Sequence, residues 1–210
     1  MAHGTTRNES FGQSYRLSLA DRFGIWLSAR KIRSSLPSLT GLVVADVGCG
    51  YNALFVRAIL GDVRRAFVFD LALADDLKHN DKVTAIEGTL PETLRAVPDA
   101  AIDLVVCNNV IEHLWDPSAT LRELHRIAAP GGVVFINVPS WRGKRALEFS
   151  AFRLGTSPAS EMNDHKMYYD PRDLWPLLVR AGFIPQAIRI GTHKFGFNTY
   201  AISRVEPGKS

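Results

Sequence analysis

Asp46, Gly48, Cys49, Gly50 and Asp70 are the first residues whose types and spacing could do chemistry together. Asp46 ends an apolar, Val-rich run (Val43 to Val47), where a carboxylate is costly unless something pairs with it. A cationic or hydroxyl-bearing ligand would supply that partner. Gly48 and Gly50, one residue apart, allow a tight turn over which a ligand can approach bare backbone. Asp70 closes a second short apolar run and lies twenty residues past Gly50. A carboxylate there can accept hydrogen bonds from two neighbouring hydroxyls, as a ribose offers. Cys49 could be a nucleophile, but a small residue filling the turn is the better account. His113 and His165 supply side chains that titrate in the useful range for moving a proton, and Tyr168 supplies a hydroxyl to orient a substrate.

These residues need a scaffold that brings strand ends together. The Val-rich run reads as a strand buried on both faces, and the apolar stretch from Ala53 to Leu60 as a following helix. Further strands are expected at 66–70, 82–87, 101–107 and 133–138, with a helix opened by Pro117-Ser118 and closed by Pro130-Gly131-Gly132. Two final strands, 184–190 and 195–202, flank a connection short enough for a hairpin, so they should be antiparallel. A helix over about 15–36 carries Leu19, Phe23, Trp26, Leu27 and Ile32 as one apolar stripe, expected to pack on the core. The expected fold is α/β: a Rossmann-like, doubly wound, seven-stranded and mostly parallel sheet with an antiparallel C-terminal strand and helices on both faces.

Gly48-x-Gly50-x-x-Ala53, with Asp70 beyond it, matches the dinucleotide-binding fingerprint in its Ala-terminated form. Ala45-Asp46-Val47-Gly48-Cys49-Gly50 also resembles the first motif of class I S-adenosylmethionine-dependent methyltransferases, in which an acid stands two residues before the first glycine. Asp46 would repel a pyrophosphate, whereas a sulfonium cofactor with an ammonium group suits it. Asp103-Leu-Val-Val and Val110-Ile-Glu-His-Leu114 resemble the fourth motif of small-molecule methyltransferases of the type 11 kind. The His and Tyr before a helix ending in Ala181-Gly182-Phe183 resemble the same family, and no Tyr-x-x-x-Lys pair supports a reductase. The resemblance implies S-adenosylmethionine as cofactor, held by Asp46, Gly48, Cys49, Gly50, Asp70, Leu71, Thr89, Leu90, Asn108 and Asn109. Thr89 stands where the family often has an Asp near adenine, which weakens that one contact. Proton handling would fall to His165 first, then His113, with Tyr168 orienting the acceptor. Trp141, Arg142 and Tyr169 are the acceptor-binding candidates. An NAD(P)-dependent reductase and a non-catalytic S-adenosylmethionine-binding protein are the competing readings.

Length and composition bound the rest. At 210 residues, 46% of them hydrophobic, one domain is expected over 15–205, with polar, mobile ends at 1–14 and 206–210. An irregular insertion at about 139–166, basic and aromatic at its start, is expected to form a substrate lid. The formal charge of +4 is scattered, so nucleic acid is not the expected partner. A small-molecule, glycan or lipid head-group acceptor, of anionic character, fits the basic loop better. Two cysteines make no disulfide framework, no apolar run reaches membrane-spanning length, and no metal signature is present, so a cytoplasmic protein is expected.

Overall fold

The computed structural model describes residues 9–149 and 165–206, with the backbone alone for 146–149. Seven strands form a single sheet in the order β3-β2-β1-β4-β5-β7-β6. They are β1 (Val43–Val47), β2 (Arg65–Asp70), β3 (Val83–Glu87), β4 (Ile102–Asn108), β5 (Ala128–Pro139), β6 (Ile188–His193) and β7 (Asn198–Arg204). The first five are parallel, and β7 runs antiparallel to both β5 and β6. The expected architecture is therefore observed. The helices among the described residues are α1 (Leu19–Arg33), α2 (Leu54–Ile59), α3 (Asp75–Lys78), α4 (Pro117–Ile127), α5 (Trp141–Phe149) and α6 (Pro171–Arg180).

Alternation along β1 shows why it had to be apolar throughout. Val43, Ala45 and Val47 enter the core on one face, under α4 and α6, while Val44 enters the core on the other, under α1 and α2. Asp46 shares that second face at the carboxyl end of the strand, where the helical layer gives way to the glycine turn. Because strand order reverses between β1 and β4, a crevice opens there, at the carboxyl edge of the sheet.

Several boundaries differ from those read in the sequence. Gly191, Thr192 and His193 pair with Tyr200, Thr199 and Asn198, so they extend β6 rather than form the hairpin connection. Residues 128–132 belong to β5, with a register shift against β4, rather than to a helix end. Trp141 to Arg145 begin α5 rather than a loop, and the remainder of the expected lid, 150–164, lies outside the described residues, as does most of the expected tail. The expected stripe on α1 is divided. Ile32 packs in the core as expected and Leu27 is half-buried, but Leu19, Phe23 and Trp26 face solvent, away from buried Ser28 and Ile32. Within the N-terminal stretch expected to be mobile, residues 9–13 carry defined contacts. Ser10 Oγ donates to Ala72 O and accepts from Ala72 N–H, both at 2.7 Å, and Tyr51 N–H donates to Phe11 O at 3.0 Å.

Candidate active site

The glycine turn leaves β1 with both glycines in the left-handed region, φ +70° at Gly48 and +74° at Gly50. A Cβ on Gly48 would lie 2.3 Å from Val110 Cγ2, so no side chain fits between the turn and the segment following β4. Gly48 and Cys49 N–H groups both donate to Phe69 O of β2, at 2.8 and 3.1 Å. Asp70 braces the same turn. Its Oδ2 accepts from Gly50 N–H at 2.7 Å and its Oδ1 from Leu71 N–H at 2.8 Å. Each oxygen retains lone-pair capacity toward the crevice. Leu71 and Thr89 lie beside it on the loops after β2 and β3. Thr89 is exposed and its hydroxyl donates to Glu92, and half-buried Leu90 packs on the core from the same loop.

Asp46 is 4% exposed and accepts no hydrogen bond among the described residues. Burial first, and then the neighbouring Asp70 carboxylate, push its pKa up to about 7. A carboxyl held so far above the usual range lacks a cationic partner. Burial, with Asp46 and Asp70 nearby, likewise pushes the Cys49 thiol well up, so it stays protonated and fills the turn. At the end of β4, Asn108 and Asn109 join an amide network that fixes three strand ends. Asn137 Nδ2 donates to both Oδ1 atoms, at 2.8 and 3.1 Å, and Asn198 Nδ2 donates to Asn109 Oδ1 at 3.2 Å.

On the other side of this network lies a second group of side chains. Glu112, fully buried in the turn after β4, takes Lys166 N–H on its carbonyl at 2.7 Å and so anchors the 165–170 segment. The rings of His113 and His165 stand 4.8 Å apart, and His165 Nδ1 is 3.0 Å from the Tyr168 hydroxyl. One ligand atom each from Glu112, His113 and His165 falls within 4.8 Å of the others, although the linear spacing carried no metal signature. Lys194, from the connection between β6 and β7, faces Glu112, and its charge works against a second cation there. Burial lowers the Lys194 pKa to about 8, partly countered by Glu112. Its backbone and that of Phe195 are left-handed, φ 50° and 61°. Strain of this kind costs about 1–3 kcal/mol per residue and persists where the surroundings over-determine it.

Of the acceptor candidates, Trp141 and Arg142 are exposed. Trp141 Nε1 donates to Asp173 at 3.2 Å, and its ring lies 5.7 Å from that of Tyr168. Tyr169 is 3% exposed and belongs to the core, where burial, then Glu112 and Asp173, push its hydroxyl up to about 12. Sequence reasoning assigned no role to Glu112, Lys194, Asn137 or Asn198. A Glu inside the apolar run Val110 to Leu114 was a signal that could have been used. Nothing in the Lys194 surroundings was.

The buried, unpaired carboxylate beside a glycine turn separates the two cofactor readings, since a pyrophosphate would meet repulsion there. A family model described as a methyltransferase domain matches residues 21–186. The chain belongs to that family. A probable S-adenosylmethionine-dependent methyltransferase of Mycobacterium tuberculosis is 29% identical over 154 residues, 72% of this chain and 52% of the relative. A Bordetella bronchiseptica protein named ubiquinone biosynthesis O-methyltransferase is 31% identical over 115 residues, 50% of this chain and 46% of its own. The chain thus spans about half the length of the curated relatives it matches. A solved S-adenosylmethionine-dependent methyltransferase from Mesorhizobium loti has the same fold, with a TM-score of 0.61 at 15% identity, covering 83% of this chain and 96% of that one. S-adenosylmethionine is the cofactor of this methyltransferase domain, and the observed carboxylates fit it. The orphaned Asp46 carboxylate suits an ammonium, and the Asp70 oxygens suit hydroxyls.

Proposed function

We propose that the domain transfers a methyl group to an oxygen of a small-molecule or lipid-linked acceptor that carries an anionic group. Bound over the glycine turn, S-adenosylmethionine supplies a methyl carbon activated by its sulfonium. Asp46 holds the cofactor's ammonium, Asp70 orients its ribose hydroxyls, and the Asn108–Asn137–Asn109 network keeps the strand ends in register at the transfer site. Displacement in line requires little beyond alignment of the two reacting atoms, so positioning carries much of the rate. An acceptor hydroxyl must still lose its proton. His165 takes it at Nε2, the ring nitrogen away from Tyr168, while the Tyr168 hydroxyl fixes the ring at Nδ1. Lys194 pairs with the acceptor's anionic group.

The observation that carries this reading is the position of His113, His165 and Tyr168 across the amide network from the glycine turn. The Bordetella bronchiseptica relative's name includes O-methyltransferase, which agrees with oxygen as the accepting atom. The test has two stages. Calorimetric titration should give S-adenosylhomocysteine binding in the micromolar range, about −8 kcal/mol, with no NADH binding. A screen of phenolic, carboxylated and phosphorylated acceptors with methyl-labelled cofactor, with and without a chelator, should then find label on oxygen. Cofactor binding with no acceptor turning over across the whole screen would favour the non-catalytic alternative.

A further inference from the structure

Among the described residues, every exposed large apolar side chain except Val179 and Ile184 lies on Tyr15, on α1 or on a segment at the carboxyl edge of the sheet. Leu19, 86% exposed, heads a stripe with Phe23 and Trp26, whose rings stack at 5.8 Å. This half of α1 stands at the same edge as the hairpin, since a Cβ on Gly24 would lie 3.8 Å from Lys194 Nζ. At the same edge, Trp115 is 78% exposed in the segment after β4, and Phe195 is 77% exposed in the β6–β7 connection.

Cations are interleaved with these rings. The Arg30 guanidinium sits 5.8 Å from the Trp26 ring, Lys166 5.3 Å from Trp115, and Arg142 5.8 Å from Phe197. The acids on the same segments are turned to other work. Asp21 closes the capping box of α1, Asp116 caps α4, and Asp170 with Asp173 forms the capping box of α6. There they offset helix N-terminal partial charge, and elsewhere on this edge Asp76 and Glu87 are paired with Arg57 and Lys78. A subunit interface would bring such rings together in a charge-depleted centre. Rings spread over separate segments, each near a cation, instead match the boundary between lipid headgroups and acyl chains.

We infer that this edge docks on an anionic lipid bilayer, with the first half of α1 as its main contact and the crevice turned toward the membrane. The docking stands independently of the methyl-transfer reading, whereas its consequence, an acceptor taken from the membrane, rests on that reading. Anionic headgroups would attract the arginines and lysines, and the exposed rings would enter the interfacial layer.

The test is co-sedimentation of the full chain with sucrose-loaded phosphatidylcholine vesicles, with and without phosphatidylglycerol. Binding should require the anionic lipid and weaken at high salt. Phe23→Ser with Trp26→Ser should reduce the bound fraction at least about fivefold, since it removes the interfacial anchors. Arg22→Gln with Arg30→Gln should reduce it through the charge alone. Both variants should keep the wild-type melting temperature and S-adenosylhomocysteine affinity, because these residues face solvent away from the glycine turn. Failure of the wild type to sediment with anionic vesicles, or undiminished binding by both variants, overturns the proposal. So does a wild-type dimer in light scattering that the Phe23/Trp26 variant breaks, because a second copy of the chain would then be the occupant. Lost cofactor affinity in the wild type, by contrast, would count against the methyl-transfer reading and leave the docking standing.

Discussion

The two halves of the crevice are built in different ways. The half over β1 and β2 is made by one short stretch of chain and the strand beside it: two left-handed glycines, backbone donors closed onto Phe69, and Asp70 clamped across the turn. The half over β4, β5 and the β6–β7 connection is made by convergence. Glu112 and His113 come from one segment, His165 and Tyr168 from another, and Lys194 from a third. A ligand read mostly by backbone and two carboxylates can be served by a local motif. An acceptor whose chemistry varies is better served by side chains that can change independently of one another.

The largest expected effect separates the halves through turnover. His165→Ala should lower turnover by about 10²–10⁴-fold while S-adenosylhomocysteine affinity stays the same, because the cofactor contacts proposed above lie across the amide network. Tyr168→Phe, which removes only the hydroxyl fixing the ring, should cost less. Single-turnover kinetics with an identified hydroxyl acceptor measures both. Near-normal turnover in His165→Ala would mean that the proton leaves through His113 or solvent, and the convergent half would then be a binding surface rather than a catalytic one.

Next comes the turn itself. Gly48→Ala must accommodate a Cβ 2.3 Å from Val110 Cγ2, at a φ of +70°. Left-handed strain and overpacking against a stiff β-branched neighbour together cost about 2–5 kcal/mol. Cofactor affinity should fall along with stability. Adding Val110→Ala should recover the steric part alone, which a double-mutant cycle on melting and binding resolves. No coupling between the two sites would show that the turn does not depend on the segment after β4.

This contrast also explains what could be read from the chain alone. The turn, Asp46 and Asp70 were legible because their geometry is set within one strand–turn–helix unit, and hydrophobic alternation located the strands that carry it. Lys194 was not legible. Its burial depends on packing beside Gly24 of α1, far away in sequence, and on a hairpin connection that starts three residues later than strand patterning suggested. On α1, the expected burial held for Ile32 but not for Leu19, Phe23 and Trp26, because periodicity suggests which residues share a face and not what covers that face. The contacts of Ser10 and Phe11 escaped notice for a related reason. A single serine and a carbonyl oxygen have no compositional mark, yet they tie residues 9–13 to the loops after β1 and β2.

Proton linkage probes the first half without any mutation. Asp46 has a folded-state pKa of about 7, well above the ~3.9 of an unfolded aspartate. The ligand-free folded chain therefore keeps a proton that the unfolded chain releases. The resulting stability, on the order of 4 kcal/mol, is complete below about pH 3.9 and is lost as the pH rises through about 7. An ammonium seated beside Asp46 favours the carboxylate, so cofactor binding must expel that proton at lower pH. The dissociation constant for S-adenosylhomocysteine should rise by roughly tenfold per unit as the pH falls below 7. Calorimetry in buffers of different ionisation enthalpy should count nearly one proton released at pH 6. Asp46→Asn should bind more weakly and flatten the profile. A wild-type affinity that is flat from pH 8 to pH 6 would place the ammonium elsewhere.

The smallest expected effect belongs to Lys194 and runs in the opposite direction to a loss. Its folded-state pKa of about 8 lies below the ~10.4 of an unfolded lysine, so between those values the unfolded chain holds the extra proton. Stability therefore rises with pH across that window, and at neutral pH the charged side chain is a burden on the fold. Lys194→Met, which keeps the length and removes the charge, should stabilise the ligand-free protein by about 1–2 kcal/mol at pH 7, a figure already discounted for the partial exposure of the side chain. The gain should shrink as the pH climbs from about 8 toward 10.4. Thermal melts at pH 7 and pH 10 measure the difference. Cofactor affinity should be untouched, while KM for an anionic acceptor should rise more than kcat falls if, as proposed, the residue pairs with a group away from the reacting atom. A more stable variant with poorer acceptor binding would identify Lys194 and its strained turn as a site kept for function at the expense of stability. A destabilised variant with unchanged KM would make Lys194 the structural counter-charge of buried Glu112 instead.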